Sequence, residues 1–304
     1  MVQDAARQSA GDDGWAAALE VFGANRGRLF GIAYRMLGSA SEAEDIVQEA
    51  WLRWQSTDRD AVLNPAAFLA TTTTRLAITA ATSARARHES YVGPWLPEPV
   101  DTSDDPTLGA ERAEALSFAV LLMLERLTPT ERAAYVLREA FDYSYGQIAE
   151  VVQLSEPACR QLVSRAKKHL QAATARAVSG REQERLLTAF VSAAQGGDLE
   201  ALERVLAADV VSYSDGGGVV RASRIPVFGR LRVAKFVRAF HERFWQGVSI
   251  STSQVNGQAT AVLRQGADEH PFALVTVVAS ADGIEQVLWM MNPAKLSAAV
   301  PGGR

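Results

Sequence analysis

Apolar and polar residues alternate along the first half of the chain with the period of amphipathic helices. Apolar residues recur every three or four positions over residues 15–37, and Gly38 indicates where that helix ends. A second helix is predicted over residues 42–54, with Ser41 and Glu44 capping each other's backbone amides at its start. Its buried face is predicted to comprise Ile46, Val47, Ala50, Trp51 and Trp54, and its outer face Asp45, Gln48, Glu49 and Arg53.

A third helix is predicted to follow Asn64, because a cap residue and then a proline in the first turn are typical of helix starts. Between residues 61 and 88 no acidic residue occurs, whereas Arg75, Arg85 and Arg87 are present. Such a basic stripe favours binding to phosphate groups. The alternative is a solvated helix end, where cations are stabilised by the helix dipole.

A proline-rich segment follows this helix, with three prolines within six residues at positions 94, 97 and 99. Proline excludes helix for most of its neighbours, so residues 91–99 are predicted to be extended. Tyr91, Trp95 and Leu96 give the segment a large apolar surface, which is unusual for a free linker. Two interpretations stay open: a loop that packs Trp95 on the nearest domain, or a docking strip that holds separate domains in one arrangement.

Three closely spaced helix starts follow this linker. Thr128 with Glu131 and Ser144 with Gln147 form capping pairs, and Ser155 begins a longer helix. A short helix, a brief turn and a longer helix make the helix-turn-helix pattern, although plain helical hairpins share this spacing. Residues 155–170 contain four Lys or Arg against one Glu, which suits entry into the major groove of DNA. The buried stripe of the longer helix is predicted as Cys159, Leu162, Val163, Ala166 and Leu170, and its outer face as Arg160, Gln161, Ser164, Arg165 and Lys168.

From residue 182 the pattern changes from helices alone to helices followed by strands. Two amphipathic helices precede a strand over residues 210–214, which is predicted to turn at residues 215–218 and return through Val219 and Val220. Further strands are predicted over residues 248–255, 259–263, 272–279 and 284–291, with tight turns at Asn256 with Gly257 and at Asp282 with Gly283. This order predicts an α+β domain with helices packed on a curved antiparallel sheet.

The composition limits the classes of protein to which the chain can belong. Its 304 residues predict two or three domains, with a boundary in the acidic, turn-rich residues 101–106. Cys159 is the only cysteine, and neither a signal peptide nor a membrane-spanning run is present, so a cytoplasmic protein is expected. The net charge of −4 argues against indiscriminate binding to nucleic acids. Without metal-ligand spacing, a glycine-rich phosphate loop or a nucleophile elbow, no metal and no cofactor are predicted.

Four motifs carry a family resemblance. Residues 43–53 read AEDIVQEAWLR, residues 95–99 read WLPEP, residues 127–132 read LTPTER and residues 215–218 read DGGG. With them the chain resembles the extracytoplasmic-function (ECF) RNA polymerase sigma factors, in the group with a C-terminal SnoaL-like domain. The resemblance implies two all-α sigma domains, the region 2 bundle and the region 4 helix-turn-helix, followed by an α+β SnoaL-like (NTF2-like) cone-shaped domain. The implied boundaries are 14–92 for region 2, 93–110 for the linker, 111–177 for region 4 and 182–298 for the C-terminal domain.

The resemblance also implies partners and site residues. Core RNA polymerase would be bound through its β′ clamp helices by Asp45, Gln48, Glu49 and Arg53. Region 4 would contact the β flap of the same enzyme. Promoter DNA would be bound by Arg75, Arg85, Arg87, Arg160, Gln161, Ser164, Arg165 and Lys168, the second helix of region 4 reading the minus-thirty-five element. A regulatory contact would join the linker to the C-terminal domain in an inactive form. Its residues would be Trp95, Leu96, Pro97, Glu98, Asp215, Gly216, Gly217, Gly218, Asn292, Pro293, Lys295 and Leu296.

The sequence departs from the family pattern at two places. In the stretch after residue 76 the family usually has an Asp, an aliphatic residue and an Arg, where this chain has Thr79, Ala81 and Thr82. This departure weakens the match in the part that melts the promoter and contacts the minus-ten element. The group's C-terminal motif Asn-Pro-Asp-Lys-Leu contains Ala294 in place of the Asp, which is expected to loosen an interdomain contact.

An enzymatic interpretation comes from a different functional class. SnoaL-like folds also host polyketide cyclases and isomerases that use a buried Asp, His or Tyr as general base. The candidates in this chain are Asp215, Tyr213, His241 and His270. The alternative interpretation makes Asp215 a turn residue and the two histidines surface polar groups. The main hypothesis is a transcription initiation factor without chemistry of its own, with a small-molecule or protein signal at the C-terminal domain left open.

Overall fold

The computed structural model describes residues 2–102, 117–174, 178–266, 268 and 270–297. The chain divides into a helical unit, Met1–Arg85 with Leu127–Ala166, and a sheet unit, Ala86–Arg126 with Lys167–Arg304. Within the described ranges, no helix combines the length and the apolar composition that crossing a bilayer requires. The first part of the chain forms α1 (Val2–Leu37), α2 (Ala40–Ser56), a 3-10 turn (Arg59–Ala61), α3 (Pro65–Glu89), α4 (Phe118–Leu124), α5 (Pro129–Phe141), α6 (Tyr145–Val152) and α7 (Glu156–Thr174).

Helix α2 begins two residues earlier than its pattern predicts. Gly38 follows α1 with a φ of 65°, and Ser39 is then extended and accepts a hydrogen bond from Glu42 N at 3.1 Å. The predicted cap formed by Ser41 and Glu44 is therefore wrong, because both residues already lie within the helix. The buried face is confirmed, since Val47, Ala50 and Trp54 are buried and Ile46 and Trp51 are partly buried against the same core.

The helix-turn-helix is present as predicted. Capping boxes at Thr128 and Ser144 start α5 and α6. Gln153 ends α6 with a φ of 57°, and Ser155 then accepts a hydrogen bond from Ala158 N at the start of α7. Because the left-handed residue reverses the chain at once, only three residues separate the two helices.

One apolar core runs through the helical unit from α1 to α7. Trp54 is buried in it, and the indole N–H donates to Ala18 O at 3.1 Å, so the ring buries no unsatisfied donor. Helices α5, α6 and α7 contribute to this same core, which therefore joins the segments predicted as regions 2 and 4. Its fully buried members include Leu29, Ile32, Leu69, Ala77, Leu137 and Cys159.

Three arginines bridge α1 and α3 to α5 and α6, and we call them the interface arginines: Arg28, Arg75 and Arg132. The buried Arg132 donates from Nη1 to Met36 O at 2.7 Å, in the last turn of α1. Arg28 donates to Phe141 O at 3.2 Å, and Arg75 donates at 2.8 and 3.1 Å to two carbonyls in the last turn of α6. The last carbonyls of a helix lack intrahelical donors and carry its negative dipole end, so cations stabilise them there.

The sheet unit carries a mixed six-stranded sheet. After α7 its elements are α8 (Gly180–Gly196), α9 (Leu199–Val205), β1 (Leu206–Asp215), β2 (Val227–Phe228), α10 (Arg230–Ala239), α11 (His241–Phe244), β3 (Val248–Val255), β4 (Gln258–Gln265), β5 (Pro271–Ser280), β6 (Gly283–Met290) and α12 (Pro293–Leu296). The strand order is β2-β1-β6-β5-β4-β3, and all neighbours are antiparallel except β1 and β6. The prediction of a purely antiparallel sheet is wrong at this pair, because a long crossover rather than a hairpin joins the two strands.

The predicted return strand after the glycine turn is also wrong. Val219 N and Val220 N both donate to Gly216 O, so the chain continues to turn instead of extending. Val219 is 79% exposed, and the strand that pairs with β1 is β2. The four later strands lie within two residues of their predicted ends.

The two predicted hairpin turns differ in accuracy. Asn256 and Gly257 have φ values of 54° and 69° and form the predicted two-residue turn between β3 and β4. In the second hairpin Gly283 pairs with Ser280, so the turn consists of residues 281 and 282 and lies one residue earlier than predicted.

Alternating strand residues build a separate apolar cluster on each face of the sheet. On the face covered by α8 and α10, the Trp289 ring lies 6.0 Å from Phe190, 5.7 Å from Phe244 and 6.3 Å from Trp245, centroid to centroid. Aromatic side chains therefore fill the space between these helices and the sheet. The opposite face is covered by the linker, α4 and α12, and its cluster comprises Leu96, Phe118, Val255, Val262, Leu274, Leu288, Met290 and Leu296.

Candidate functional site

A buried carboxylate at the end of β1 holds the linker. Asp215 is 0% exposed and accepts four hydrogen bonds. Its Oδ2 accepts from Lys295 Nζ at 2.8 Å and from Leu96 N at 3.0 Å. Its Oδ1 accepts from Tyr91 OH at 2.5 Å and from Gly217 N at 3.1 Å. Because burying an unpaired carboxylate is costly, these four donors fix the carboxylate and, through it, the linker backbone.

Lys295, on the short helix α12, completes this arrangement from the other side. Its ammonium donates to Leu96 O at 2.6 Å, so Leu96 is held through both its N–H and its C=O. The same ammonium lies 4.4 Å from the Trp95 ring centroid and 5.0 Å from that of Tyr91, within the range of cation–π attraction. Burial lowers the pKa of Lys295 below its ordinary value, and the charge of Asp215 opposes that shift.

Asn292 connects α12 to the start of the linker. Its Nδ2 donates to Tyr91 OH at 2.8 Å, while its Oδ1 accepts from Ala294 N at 3.1 Å and caps α12, in which Pro293 occupies the first turn. Burial, together with the hydrogen bond to the Asp215 carboxylate, raises the pKa of the Tyr91 hydroxyl well above its ordinary value. We call Tyr91, Leu96, Asp215, Asn292 and Lys295 the linker-docking site.

The glycine motif leaves room for this packing. A Cβ on Gly217, whose φ is 63°, would lie 2.6 Å from Asn292 Cγ, and a Cβ on Gly218, whose φ is 74°, would lie 3.1 Å from Val92 Cβ. A Cβ on Gly216 would lie 2.6 Å from Val220 O. Glycine is therefore required at Gly217 for both its backbone angle and its close neighbour.

The linker is bound over its length rather than at one point. Trp95 is half-buried with its ring 3.9 Å from that of His88, Pro97 is buried, and Glu98 is half-buried. Further along, Asn256 N donates to Val100 O and Val100 N donates to Asn256 Oδ1, both at 2.9 Å. Every residue predicted for the regulatory contact thus lies in the linker, the glycine turn or α12. Tyr91 was not among them, because nothing in the local sequence signals a partner 124 positions away.

The outer face of α2 carries the residues predicted to bind polymerase. Asp45, Gln48 and Arg53 are exposed, and Glu49 pairs with Arg53 at 2.9 Å, one helical turn away. Leu52 lies beside them and is 51% exposed. The face therefore combines charges with an apolar side chain that is half exposed.

The outer face of α7 carries the residues predicted to read DNA. Arg160, Gln161, Ser164, Arg165 and Lys168 are all exposed, and the predicted stripe on the opposite side is buried. Arg160 pairs with Glu156 at 3.2 Å and lies over the Tyr145 ring at 4.4 Å from its centroid. Arg165 pairs with Glu131 at 3.2 Å. The pair of Arg160 is exposed on both sides and can exchange for phosphate at little cost, whereas Glu131 in the second pair is largely buried.

The structure describes only part of the predicted basic stripe of α3. Arg75 is engaged with the last carbonyls of α6 as one of the interface arginines. The side chains of Arg85 and Arg87 lie outside the described part of the chain. Thr79 and Thr82, at the positions where the family pattern differs, are exposed and bond back to carbonyls of α3.

The candidate catalytic residues do not converge on one cavity. Asp215 is occupied by its four donors, and Tyr213 packs against the apolar cluster on the linker side of the sheet. His241 contacts Arg238 O through Nδ1 at 3.0 Å, and the exposed His270 lies 3.5 Å from Asp268. Among the residues that the structure describes, no group of three or more His, Cys, Asp or Glu side chains could hold a metal ion.

Comparisons with known proteins agree with the two helical regions and with the C-terminal domain. A Sigma-70 region 2 model matches residues 21–87, and a Sigma-70, region 4 model matches residues 117–170. The chain is 36% identical over 289 residues to the ECF RNA polymerase sigma factor SigJ of Mycobacterium tuberculosis strain H37Rv, covering 91% of this chain and 92% of that protein. It is 35% identical over 213 residues to the probable ECF RNA polymerase sigma factor SigI of M. tuberculosis strain CDC 1551, covering 66% of this chain and 72% of the relative.

A solved structure extends the agreement to the whole fold. The crystal structure of M. tuberculosis SigJ superposes with a TM-score of 0.73 at 31% identity, covering 92% of this chain and 99% of that one. The likeness therefore includes the C-terminal α+β domain as well as the sigma regions. The chain belongs to the ECF RNA polymerase sigma factors, which confer promoter specificity on transcription initiation.

Proposed function

We propose that this sigma factor brings core RNA polymerase to promoters, performs no chemistry, and is inactive while its linker is docked on its C-terminal domain. The observation that carries the regulatory part is the buried pair Asp215 and Lys295, which bonds both backbone groups of Leu96. The absence of chemistry is supported by the dispersal of the candidate bases and by the aromatic filling beside the sheet.

Core polymerase is proposed to bind the outer face of α2, at the β′ clamp helices, with region 4 contacting the β flap. Among the residues that the structure describes, none forms a side-chain hydrogen bond or ion pair with Asp45 or Gln48, and both stand opposite a well-packed apolar face. Reversing charge with Asp45→Lys and Glu49→Lys should abolish co-purification with core polymerase without changing the circular dichroism. The matched control reverses Glu200 and Asp209, two exposed carboxylates of the sheet unit. Retention of core binding by the α2 variant, or equal loss by the control, would contradict this assignment.

Promoter DNA is proposed to bind the outer face of α7. Arg160 and Arg165 have side chains long enough to reach base edges, whereas Lys168 suits a phosphate. Loss of a base-edge contact should cost about 1–3 kcal/mol at one promoter position, whereas loss of a phosphate contact should weaken all sequences alike.

The packed helical unit cannot occupy both promoter elements. Elements centred at minus ten and minus thirty-five are about 25 base pairs apart, or about 85 Å at about 3.4 Å per base pair. A compact unit of about 125 residues has a radius of gyration of about 14 Å. Since the interface arginines hold α1 and α3 against α5 and α6, this interface has to open before regions 2 and 4 can reach both elements.

Activation then becomes a shift between a docked and a released arrangement of the linker. Because both partners belong to one chain, the effective concentration of the contact is on the order of millimolar, so a modest interface keeps it closed. A signal or polymerase itself would favour the released form only by binding it better.

A reversible crosslink tests this proposal directly. Val92 and Gly218 are near enough for a disulfide after a small local shift, since a Cβ at 218 would be 3.1 Å from Val92 Cβ and a disulfide needs about 3.5–4.5 Å. The Val92→Cys/Gly218→Cys variant should support promoter-dependent transcription by core polymerase when reduced and lose it when oxidised. The single-cysteine variants control for oxidation of Cys159 and for strain at position 218, where φ is 74°. Equal transcription by the oxidised and reduced double variant would refute regulation by docking.

A further inference from the structure

A strongly basic stretch lies in the sheet unit, outside both sigma regions. Residues 216–241 contain no acidic residue, although the whole chain has a net charge of −4. The same stretch contains the basic residues Arg221, Arg224, Arg230, Arg232, Lys235 and Arg238. Among the residues that the structure describes, none of these six side chains belongs to the linker-docking site.

Helix α10 arranges three of these cations in one row, and we call Arg232, Lys235 and Arg238 the basic row. Successive members are three residues apart and therefore neighbours on the helix surface, spanning about 9 Å along its axis. All three are exposed, whereas Val233 and Val237 on the other side are buried in the core. Among the residues that the structure describes, no carboxylate forms an ion pair with a member of the row.

This arrangement does not stabilise the free protein. Like charges three residues apart repel one another on a helix surface. The first turn of α10 contains no acidic residue but includes Arg230 and Arg232, which lie at the positive end of the helix dipole. An anionic partner would relieve both repulsions, so the row is suited to binding one.

We propose that the basic row of α10 binds the phosphate backbone of promoter DNA, giving the C-terminal domain a contact that is independent of base sequence. The inference rests on the proposed function, which brings this domain to a promoter. The row spans about two to three nucleotides at about 3.4 Å each, and Lys and Arg are the usual phosphate partners. An anionic membrane fits less well, because Val233 and Val237 are buried in the core and the exposed large apolar side chains at this helix are limited to Leu231 on α10 and Phe240 just after it.

Salt-dependent binding of the full chain to a fluorescent duplex without a promoter tests the row. Each phosphate contact contributes about 0.9 to the slope of log K against log salt concentration, so R232Q/K235Q/R238Q should reduce the slope by about 2.7. The same variant should bind at least about tenfold more weakly at low salt. The matched control, R181Q/R185Q/R204Q, removes three exposed cations from α8 and α9 of the same domain and should change the slope little.

Three outcomes would overturn the inference. They are an unchanged slope in the basic-row variant, an equal change in the control, and a loss of binding to phosphatidylserine vesicles with duplex binding intact. A third variant, R160Q/R165Q, separates this test from the proposed function, because it should lose preference for a promoter duplex while keeping the contribution of the row. Promoter-specific transcription with an unchanged slope would reject the row alone, and a reduced slope without any promoter preference would reject the proposed function alone.

Discussion

The most informative single change is Lys295→Met. Methionine preserves much of the length and volume of the lysine stem but removes the ammonium. Asp215 would then keep three of its four donors and lose its counter-charge at 2.8 Å while remaining fully buried. Leu96 O would lose its donor at 2.6 Å as well. The damage therefore falls on the contact between the linker and the C-terminal domain.

The expected loss of docking free energy follows from the burial of Asp215. Removing one partner of a buried ion pair typically costs about 3–5 kcal/mol, because the remaining charge is left uncompensated. At about 1.4 kcal/mol per factor of ten, the ratio of released to docked linker should rise about 100- to 4000-fold. The exposed pair Glu182 and Arg185, at 2.6 Å, is screened by solvent, so Arg185→Met should change the ratio little and is the control.

Two measurements distinguish release of the linker from unfolding of the domain. Amide hydrogen exchange should lose protection at Leu96 N, which donates to Asp215, while Val275 and Val277 in the centre of the sheet stay protected. Transcription by core polymerase should rise in parallel. Loss of protection throughout the sheet would instead mean that the domain unfolds, and then Leu96→Ala, which removes apolar contact without stranding a charge, is the variant to compare.

Two results would contradict this role of Lys295. One is unchanged exchange at Leu96 in Lys295→Met. The other is additivity: because the penalty comes from a stranded carboxylate, Asp215→Asn/Lys295→Met should cost clearly less than the sum of its single variants. Additive costs would mean that the two side chains act independently despite their 2.8 Å contact.

Three further predictions concern the same fold. Tyr91→Phe should flatten the fall in Tm above about pH 10, because a tyrosine whose pKa is raised on folding contributes stability that is lost as the pH rises from its unfolded value of about 10 towards the raised folded value. Gly217→Ala should lower Tm more than Gly266→Ala, since both glycines have positive φ but a Cβ at 266 meets nothing within 4 Å; equal losses would contradict the role of the close neighbour. Arg132→Met should cost about 1.5–3 kcal/mol and expose α5 to exchange, and an unchanged exchange rate would refute the bridging role of this arginine.

Burial of an apolar face made the helices predictable from the sequence. On α2 and α7 the spacing of apolar residues identified the buried and outer faces correctly, because one side of each helix packs on the core. Strand pattern, in contrast, identifies the face of a strand but not its neighbour, so the parallel pairing of β1 with β6 could not be read from it.

The interface arginines and Tyr91 were beyond prediction for a different reason. The sequence predicts DNA binding for Arg75, and its bonds to α6 could not be foreseen, because an arginine on a helix face has the same sequence signature whether it binds phosphate or backbone carbonyls. Every residue has a backbone carbonyl, so the sequence does not show which carbonyls in the last turn of another helix will accept a hydrogen bond. The partner of Tyr91 is a conspicuous aspartate, but a separation of 124 residues with an intervening helix-turn-helix conceals the pairing.

Two short segments of chain join the linker-docking site to the helical unit. Leu96 and Phe118 lie in one apolar cluster, and Phe118 N also donates to Gln258, so the linker is held near both of its ends. Only two steps of chain join Glu89 to Tyr91 and five join Leu124 to Pro129, which reach at most about 25 Å in total. These short tethers limit how far regions 2 and 4 can separate while both anchors stay docked, so we expect the proposed separation of about 85 Å to be favoured by the release of at least one anchor. Because Leu96 is held by a buried charge pair and Phe118 mainly by apolar contact, the two anchors respond differently to a signal. Salt and pH act on the charged anchor, whereas a competing apolar surface acts on the other.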